Sequence, residues 1–295
     1  MSKCDNCTVE YKDFYSENIY TWCTNCGNYG IAAATKRALV EEQIQPKDTL
    51  MCFDIGCNGN GADKIEGYRY HGLHGRVISF ASGAALANPE LTVIASGGDG
   101  GTISEGIGHF VHAIRSDYNM VFLLHNNANY GLTTGQASAT TRQDVPMNSS
   151  PDGVSAETVN VLKFAMGLNP SFLARTFSGD VKQMTEIIRA GIRHNGFSII
   201  EILQSCPSYN KATPHEWYQE RVYDVFFEKD YDNSDPIAAS RVIDDLDNRI
   251  ATGVLYQDSN RPNFLEKQKN REGISTTLVS EVQRFDITEL KNKYR

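Results

Sequence analysis

The sequence predicts an α/β fold, a doubly wound and mostly parallel sheet, on three observations. Short apolar runs, TLMCFDI at 49–55, LTVIAS at 91–96, MVFLLH at 120–125, FLARTF at 172–177 and FSIIEIL at 197–203, alternate with stretches whose apolar residues recur at helical spacing. A turn rich in glycine, Gly97-Gly98-Asp99-Gly100-Gly101, follows LTVIAS. A polar loop from Asn126 to Gly131 follows MVFLLH. Strand, turn, helix and strand then form a βαβ unit, with Asp99 and Asn127 at the carboxyl ends of neighbouring parallel strands, where open α/β sheets bind ligands.

Taken in order, a first helix is expected from about Gly30 to Glu42, with Ile31, Ala34, Ala38 and Leu39 on one face and Pro46 beyond its end. TLMCFDI follows as a buried strand, in which Cys52 is a small hydrophobe. Asn58-Gly59-Asn60-Gly61 is a flexible turn. The small-residue run Ala81 to Ala87 is a closely packed helix that ends at Asn88-Pro89. After the glycine turn, Ile103, Ile107, Phe110, Val111 and Ile114 predict a helix starting near Thr102 or Ile103, its free N–H groups facing the turn. Helical spacing also covers Ser155 to Leu168 and Asp180 to His194. The pattern therefore gives one domain over 1–228, while 229–295, charged and less regular, is an extension that packs on that domain or on a partner.

The 295 residues, 40% of them hydrophobic, suffice for a substantial core. A formal charge of −8 offers no basic footprint for nucleic acid. No apolar run approaches the roughly 18 residues of a membrane span, and MSKCDNCTVEYKDF lacks the apolar core of a signal peptide. A cytoplasmic protein that binds neither nucleic acid nor membrane is expected.

Glycines at the turn let the backbone approach a ligand, and a helix N-terminus there offers N–H groups to phosphate oxygens. An acidic oxygen from Asp99, an amide oxygen from Asn127 and a nearby carbonyl suit Mg²⁺, which shares phosphates with its protein ligands. A diphosphate held through Mg²⁺ is the inference; the bland alternatives are a helix-capping aspartate and an ordinary loop amide.

Gly98-Asp99-Gly100 followed by Asn126-Asn127, with 28 positions between Asp99 and Asn127, resembles the thiamine-diphosphate motif. The continuation Tyr130-Gly131-Leu132-Thr133-Thr134-Gly135-Gln136 is similar to the YG-x-T-x-GQ run of the β subunits of 2-oxoacid:ferredoxin oxidoreductases. The resemblance implies a sheet of the thiamine-diphosphate-binding type, with Mg²⁺ bound by the side chains of Asp99 and Asn127 and the carbonyl of Asn129. It places the diphosphate along Gly98, Gly100 and Gly101, with Gly131 nearby. Many relatives carry GDGD where this chain has Gly98-Asp99-Gly100-Gly101, so a second acidic contact is missing. Tyr70-His71-Gly72-Leu73-His74-Gly75-Arg76 looks like the family's H-x-x-HGR stretch, which borders the thiamine; His74 is the cofactor-side candidate, against hydrogen bonding within a loop.

The seven cysteines invite two readings. Cys4, Cys7, Cys23 and Cys26 read C-x2-C-x15-C-x2-C, the spacing of a four-cysteine zinc site. Trp22-Cys23-Thr24-Asn25-Cys26-Gly27-Asn28-Tyr29-Gly30-Ile31 resembles instead the family's WC-x-x-CGN-x-GI segment, whose cysteines bind a [4Fe-4S] cluster with two distant partners. Ile55-Gly56-Cys57 and Ser205-Cys206-Pro207-Ser208-Tyr209-Asn210 match the family's contexts for those partners. The cluster set is then Cys23, Cys26, Cys57 and Cys206, leaving Cys4 and Cys7 as free thiols of a mobile terminus or as a separate metal clip.

The resemblance implies CoA-dependent oxidative decarboxylation of a 2-oxoacid, with electrons passed through the cluster to ferredoxin. It implies an (αβ)2 heterotetramer in which an α subunit supplies the glutamate that activates the aminopyrimidine. Asn60 and Thr134 stand where some relatives carry charged groups near the substrate; 2-oxoglutarate is the expected acid and pyruvate the runner-up. The alternatives from other classes are a zinc-ribbon interaction protein on a thiamine-like fold and a non-oxidative decarboxylase.

Overall fold

The computed structural model describes residues 8–244, 248–282 and 286–294. An eight-stranded sheet is built from β1 (Thr49–Phe53), β2 (Tyr68–His71), β3 (Thr92–Gly98), β4 (Met120–Asn126), β5 (Phe172–Phe177), β6 (Phe197–Leu203), β7 (Val222–Asp224) and β8 (Ile250–Gln257), in the order β2-β1-β3-β4-β6-β5-β8-β7. The run from β2 to β5 is parallel throughout; β8 is antiparallel to β5 and parallel to β7.

Successive side chains of a strand point to opposite faces, and here both faces are covered. Met51, Ile94, Val121, Leu123 and Ile200 enter one core with α1 (Asn28–Glu41) and α5 (Val181–Arg193). Their neighbours Cys52, Val93, Ala95, Phe122, Leu124 and Ile199 enter the other, under α2 (Val77–Ala87), α3 (Ile107–Ser116), α4 (Val161–Met166) and α7 (Pro236–Ile243). The strands read as near-continuous apolar runs for this reason. Cys52 is wholly buried, and burial pushes its thiol up to about 12.

Two expectations change. The helix expected from Thr102 or Ile103 is preceded by a wide π-type turn over Gly100–Glu105, closed by Gly106 N–H donating to Gly101 O at 2.8 Å, and the regular helix begins at Ile107. A Cβ on Gly100 would lie 2.6 Å from the Tyr130 ring and one on Gly101 2.4 Å from Asp54 Oδ2, so the chain here passes too close to its neighbours for side chains. The helix expected over Ser155 to Leu168 is confined to α4, because Val159 N–H donates to Ala139 O at 2.9 Å, and Asn160 caps the helix by accepting from Lys163 N–H.

Residues 229–295 supply α7, which packs on α4, and β8, which extends the sheet beyond β5. Among the described residues no helix is long and apolar enough to cross a membrane.

Candidate functional site

The carboxyl ends of β1, β3, β4 and β6 deliver the polar groups of one region. Asp99, 1% exposed, is held by hydroxyls and one amide: Ser138 Oγ and Thr140 Oγ1 donate to Oδ2 at 2.5 and 2.7 Å, and Asn127 N–H donates to Oδ1 at 3.3 Å. None of these partners carries positive charge, and burial raises its carboxyl to about 6. A buried carboxylate in this condition suits a divalent cation. Beside it, Asn129 Nδ2 donates to Asn127 O at 2.9 Å, while Asn129 Oδ1 is buried and among the described residues has no hydrogen-bond partner, a further oxygen to offer a metal.

The loop carrying these asparagines is tied from both sides. Gln204 N–H donates to Asn126 O at 2.9 Å, and Asn210 Nδ2 donates to Asn127 O at 3.1 Å. Asn126 Nδ2 donates to Glu201 Oε1 at 2.8 Å, and Glu201 Oε2 accepts from Arg175 Nε at 2.8 Å, a buried ion pair beneath the loop. Ala128 takes a left-handed backbone, φ 55°, to turn the chain between Asn127 and Asn129.

Asp99, Asn127, Asn129, Gly98, Gly100, Gly101, Gly131, His74 and Cys57 all line one cavity. A Cβ on Gly98 would meet Asn58 Oδ1 at 3.7 Å, an ordinary contact, so this position is less crowded than Gly100 or Gly101. Tyr130 hydroxyl donates to Gly100 O at 3.2 Å, and His74 lies edge-on to Tyr130 with its Nδ1 3.3 Å from Glu105 Oε1. His71 ends the strand β2 and does not line this cavity.

Cys23, Cys26, Cys57 and Cys206 line a second cavity, which shares Cys57, Asn127, Gly131, Leu132 and Gln204 with the first. Cys23 and Cys26 come from the segment before α1, Cys57 from the turn after β1 and Cys206 from the turn after β6. Trp22 Nε1 donates to Cys57 O at 2.6 Å and fixes one turn to the other. Burial pushes the Cys57 thiol up to about 12, with Cys26, Cys206 and Cys23 adding to it. Among the described residues no three His, Cys, Asp or Glu side chains converge on a single ion position. The four cysteines are among the residues that line this one cavity. Cys4 and Cys7 lie outside the described residues, and with them the four-cysteine zinc arrangement.

The substrate-side candidates separate. Asn60 lines the cysteine cavity, whereas Thr134 is exposed, takes φ 79° and lines neither cavity.

Several groups carry no signature of their own in the sequence. His125 is buried between Ser96 Oγ and Asn28 Oδ1, each 2.9 Å from a ring nitrogen, and burial lowers it to about 3, so it is neutral at the cavity wall. Asp54 Oδ1 accepts from Ile55 N–H and Gly75 N–H, both at 2.8 Å, while among the described residues Oδ2 has no hydrogen-bond partner. Gln204 stands between the two cavities. Position at strand ends is the one signal that could have marked them.

Residues 54–202 match the thiamine pyrophosphate enzyme C-terminal TPP binding domain, and residues 206–272 match the C-terminal family of the pyruvate ferredoxin oxidoreductase beta chain. A Sulfolobus 2-oxoacid:ferredoxin oxidoreductase subunit beta is 38% identical over 264 residues, 84% of this chain and 85% of its own. The chain belongs to this β-subunit family. A Mycobacterium tuberculosis 2-oxoglutarate oxidoreductase subunit KorB is 36% identical over 72% of this chain and 58% of its own. Among solved structures, 2-oxoglutarate:ferredoxin oxidoreductase from Magnetococcus marinus, with 2-oxoglutarate, coenzyme A and succinyl-CoA bound, superposes with a TM-score of 0.88 at 31% identity, covering 97% of this chain and 96% of that one. The sheet described above is thus the thiamine-enzyme fold expected from the sequence, in the β subunit of a 2-oxoacid:ferredoxin oxidoreductase.

Proposed function

We propose that this β subunit holds the thiamine diphosphate and [4Fe-4S] half of a CoA-dependent enzyme that oxidatively decarboxylates 2-oxoglutarate to succinyl-CoA and passes the electrons to ferredoxin. The observation that carries the reading is the common wall of the two cavities: Asp99 and Asn129 line one, Cys23, Cys26 and Cys206 line the other, and Cys57 and Asn127 line both.

Asp99, Asn127 and Asn129 would hold Mg²⁺, and Gly98, Gly100 and Gly101 would flank the diphosphate. Thiamine diphosphate, when bound, supplies a nucleophilic carbon for the 2-oxo group and an electron sink for decarboxylation. Ser138 and Thr140 fix the Asp99 carboxylate by donating their hydroxyls to Oδ2, and so would hold it in place for a cation. Tyr130 is held at the turn by its hydroxyl bond to Gly100 O with His74 edge-on to it, and neutral His125 gives the wall polarity without charge. Cys23, Cys26, Cys57 and Cys206 would ligate the cluster, Cys57 doing so from a position at both cavities.

The activating glutamate is assigned to a partner α subunit, a reading supported by the chain's membership of a β-subunit family. An (αβ)2 assembly working with ferredoxin in the cytoplasm completes the reading. The choice of 2-oxoglutarate is supported by the KorB relatives and by the ligands of the Magnetococcus marinus structure. Relatives at 38% identity named only for 2-oxoacids keep pyruvate as the second reading.

The test is an anaerobic assay of the co-purified two-chain complex against a panel of 2-oxoacids with CoA and ferredoxin. The proposal expects 2-oxoglutarate to give the highest kcat/KM and succinyl-CoA as product. Preference for pyruvate would replace the substrate, and release of an aldehyde without ferredoxin reduction would overturn the oxidative reading.

A further inference from the structure

The turn after β6, Gln204-Ser205-Cys206-Pro207-Ser208, does more than present one cysteine to the cavity. Gln204 Nε2 lies 3.5 Å from Cys26 Sγ, and Ser208 Oγ lies 3.1 Å from Cys23 Sγ. Two donors from one five-residue turn therefore reach the two sulfurs of the Cys23–Cys26 pair, across 178 and 185 positions of sequence. Gln204 is buried, 1% exposed, and among the described residues its Oε1 has no hydrogen-bond partner, although burying an amide oxygen without a partner is costly. A thiolate can only accept, so once Cys26 is deprotonated the amide must present its N–H to the sulfur.

Hydrogen bonds to ligand sulfurs are one of the protein's means of setting an iron–sulfur potential. They stabilise the reduced cluster, which carries more negative charge, over the oxidised one. We infer that Gln204 and Ser208 are positioning residues that raise the reduction potential of the cluster by donating to Cys26 and Cys23. Gln204 also joins the two halves of the site, since its backbone N–H holds Asn126 O beside the asparagine loop at 2.9 Å. This inference rests on the assignment of the four cysteines to a cluster.

The test is a redox titration, followed by electron paramagnetic resonance, of the anaerobically purified two-chain complex, with iron and sulfide measured on each sample. Gln204→Leu and Ser208→Ala should load as much iron and sulfide as wild type, and each should favour the oxidised cluster by about tenfold, a shift of about 59 mV to more negative potential for a one-electron couple. Gln204→Glu should shift further, because a carboxylate replaces the donor. Ser208→Thr retains a hydroxyl and should keep the wild-type potential. Fully loaded Gln204→Leu and Ser208→Ala with unchanged potentials would overturn the inference. If Gln204→Leu fails to load, the Ser208→Ala and Ser208→Thr pair decides it. A wild-type complex without iron and sulfide would overturn the cluster assignment itself, and the inference with it.

Discussion

Asn127 N–H donates to Asp99 Oδ1 at 3.3 Å across 28 positions of sequence, so the two parallel strands that carry them end with their polar residues in contact. The other oxygen of Asp99 takes the hydroxyls of Ser138 and Thr140. The carboxylate is therefore fully oriented and yet, among the described residues, has no cationic side chain as a hydrogen-bond partner.

Replacing Asp99 by alanine should lower turnover of the complex by more than about a hundredfold, the scale expected when a metal ion's charge stabilisation is lost. Thiamine diphosphate retained after gel filtration should fall in parallel, while the visible iron–sulfur absorption stays. Wild-type thiamine retention would remove Asp99 from the metal site.

Cys57→Ser or Cys206→Ser should abolish or strongly alter the iron–sulfur spectrum. The double variant Cys4→Ser with Cys7→Ser should leave iron and acid-labile sulfide at wild-type levels. Loss of iron in the double variant, with retention in the first two, would restore the terminal four-cysteine arrangement.

Glu201→Ala removes the carboxylate that accepts from Arg175 Nε at 2.8 Å, where both side chains are under 5% exposed. Breaking a buried pair from one side costs about 3–5 kcal/mol, which for a chain of this size is a fall in Tm of roughly 10 °C. Thermal unfolding followed by circular dichroism measures it, and a change under about 2 °C would show the pair to be dispensable.

How much of this was legible in the sequence depended on range. LTVIAS and MVFLLH announced β3 and β4, and the motif after each gave Asp99 and Asn127, because short-range apolar pattern and turn chemistry determine both. The contexts of Cys57 and Cys206 likewise named cysteines that the fold brings to one cavity. What escaped was polar pairing at long range: Asn28 with His125 over 97 positions, or Gln204 with Cys26, leaves no periodicity to read. The helix over Ser155 to Leu168 failed for a related reason. Its apolar spacing was real, but Val159 pairs with Ala139 and holds the first residues extended. The wide turn before Ile107 depends on Tyr130 and Asp54 pressing against Gly100 and Gly101, a tertiary constraint.

Acid sensitivity should come in part from His194. It lies buried at the end of α5, with Nε2 2.9 Å from Ser171 Oγ, and burial holds it below the usual histidine range although Asp117 and Asp258 pull the other way. On acidification the unfolded chain takes up this proton first. The stability from neutral His194 is therefore complete above the unfolded value near 6.5 and is lost as pH falls through the lower folded value. Tm should drop more between pH 7.5 and pH 5.5 for wild type than for His194→Gln. Parallel curves would show that another group carries the acid response.

In the proposed function, substrate electrons would leave the Asp99 cavity through the shared wall for the four-cysteine cavity. Its most direct measurement is a single-turnover experiment on the anaerobic two-chain complex, mixing 2-oxoglutarate without ferredoxin and recording cluster reduction by electron paramagnetic resonance. The account predicts a reduced-cluster signal in wild type, and none in Asp99→Ala or in this chain without its partner. Carbon dioxide released in wild type with the cluster still oxidised would contradict it.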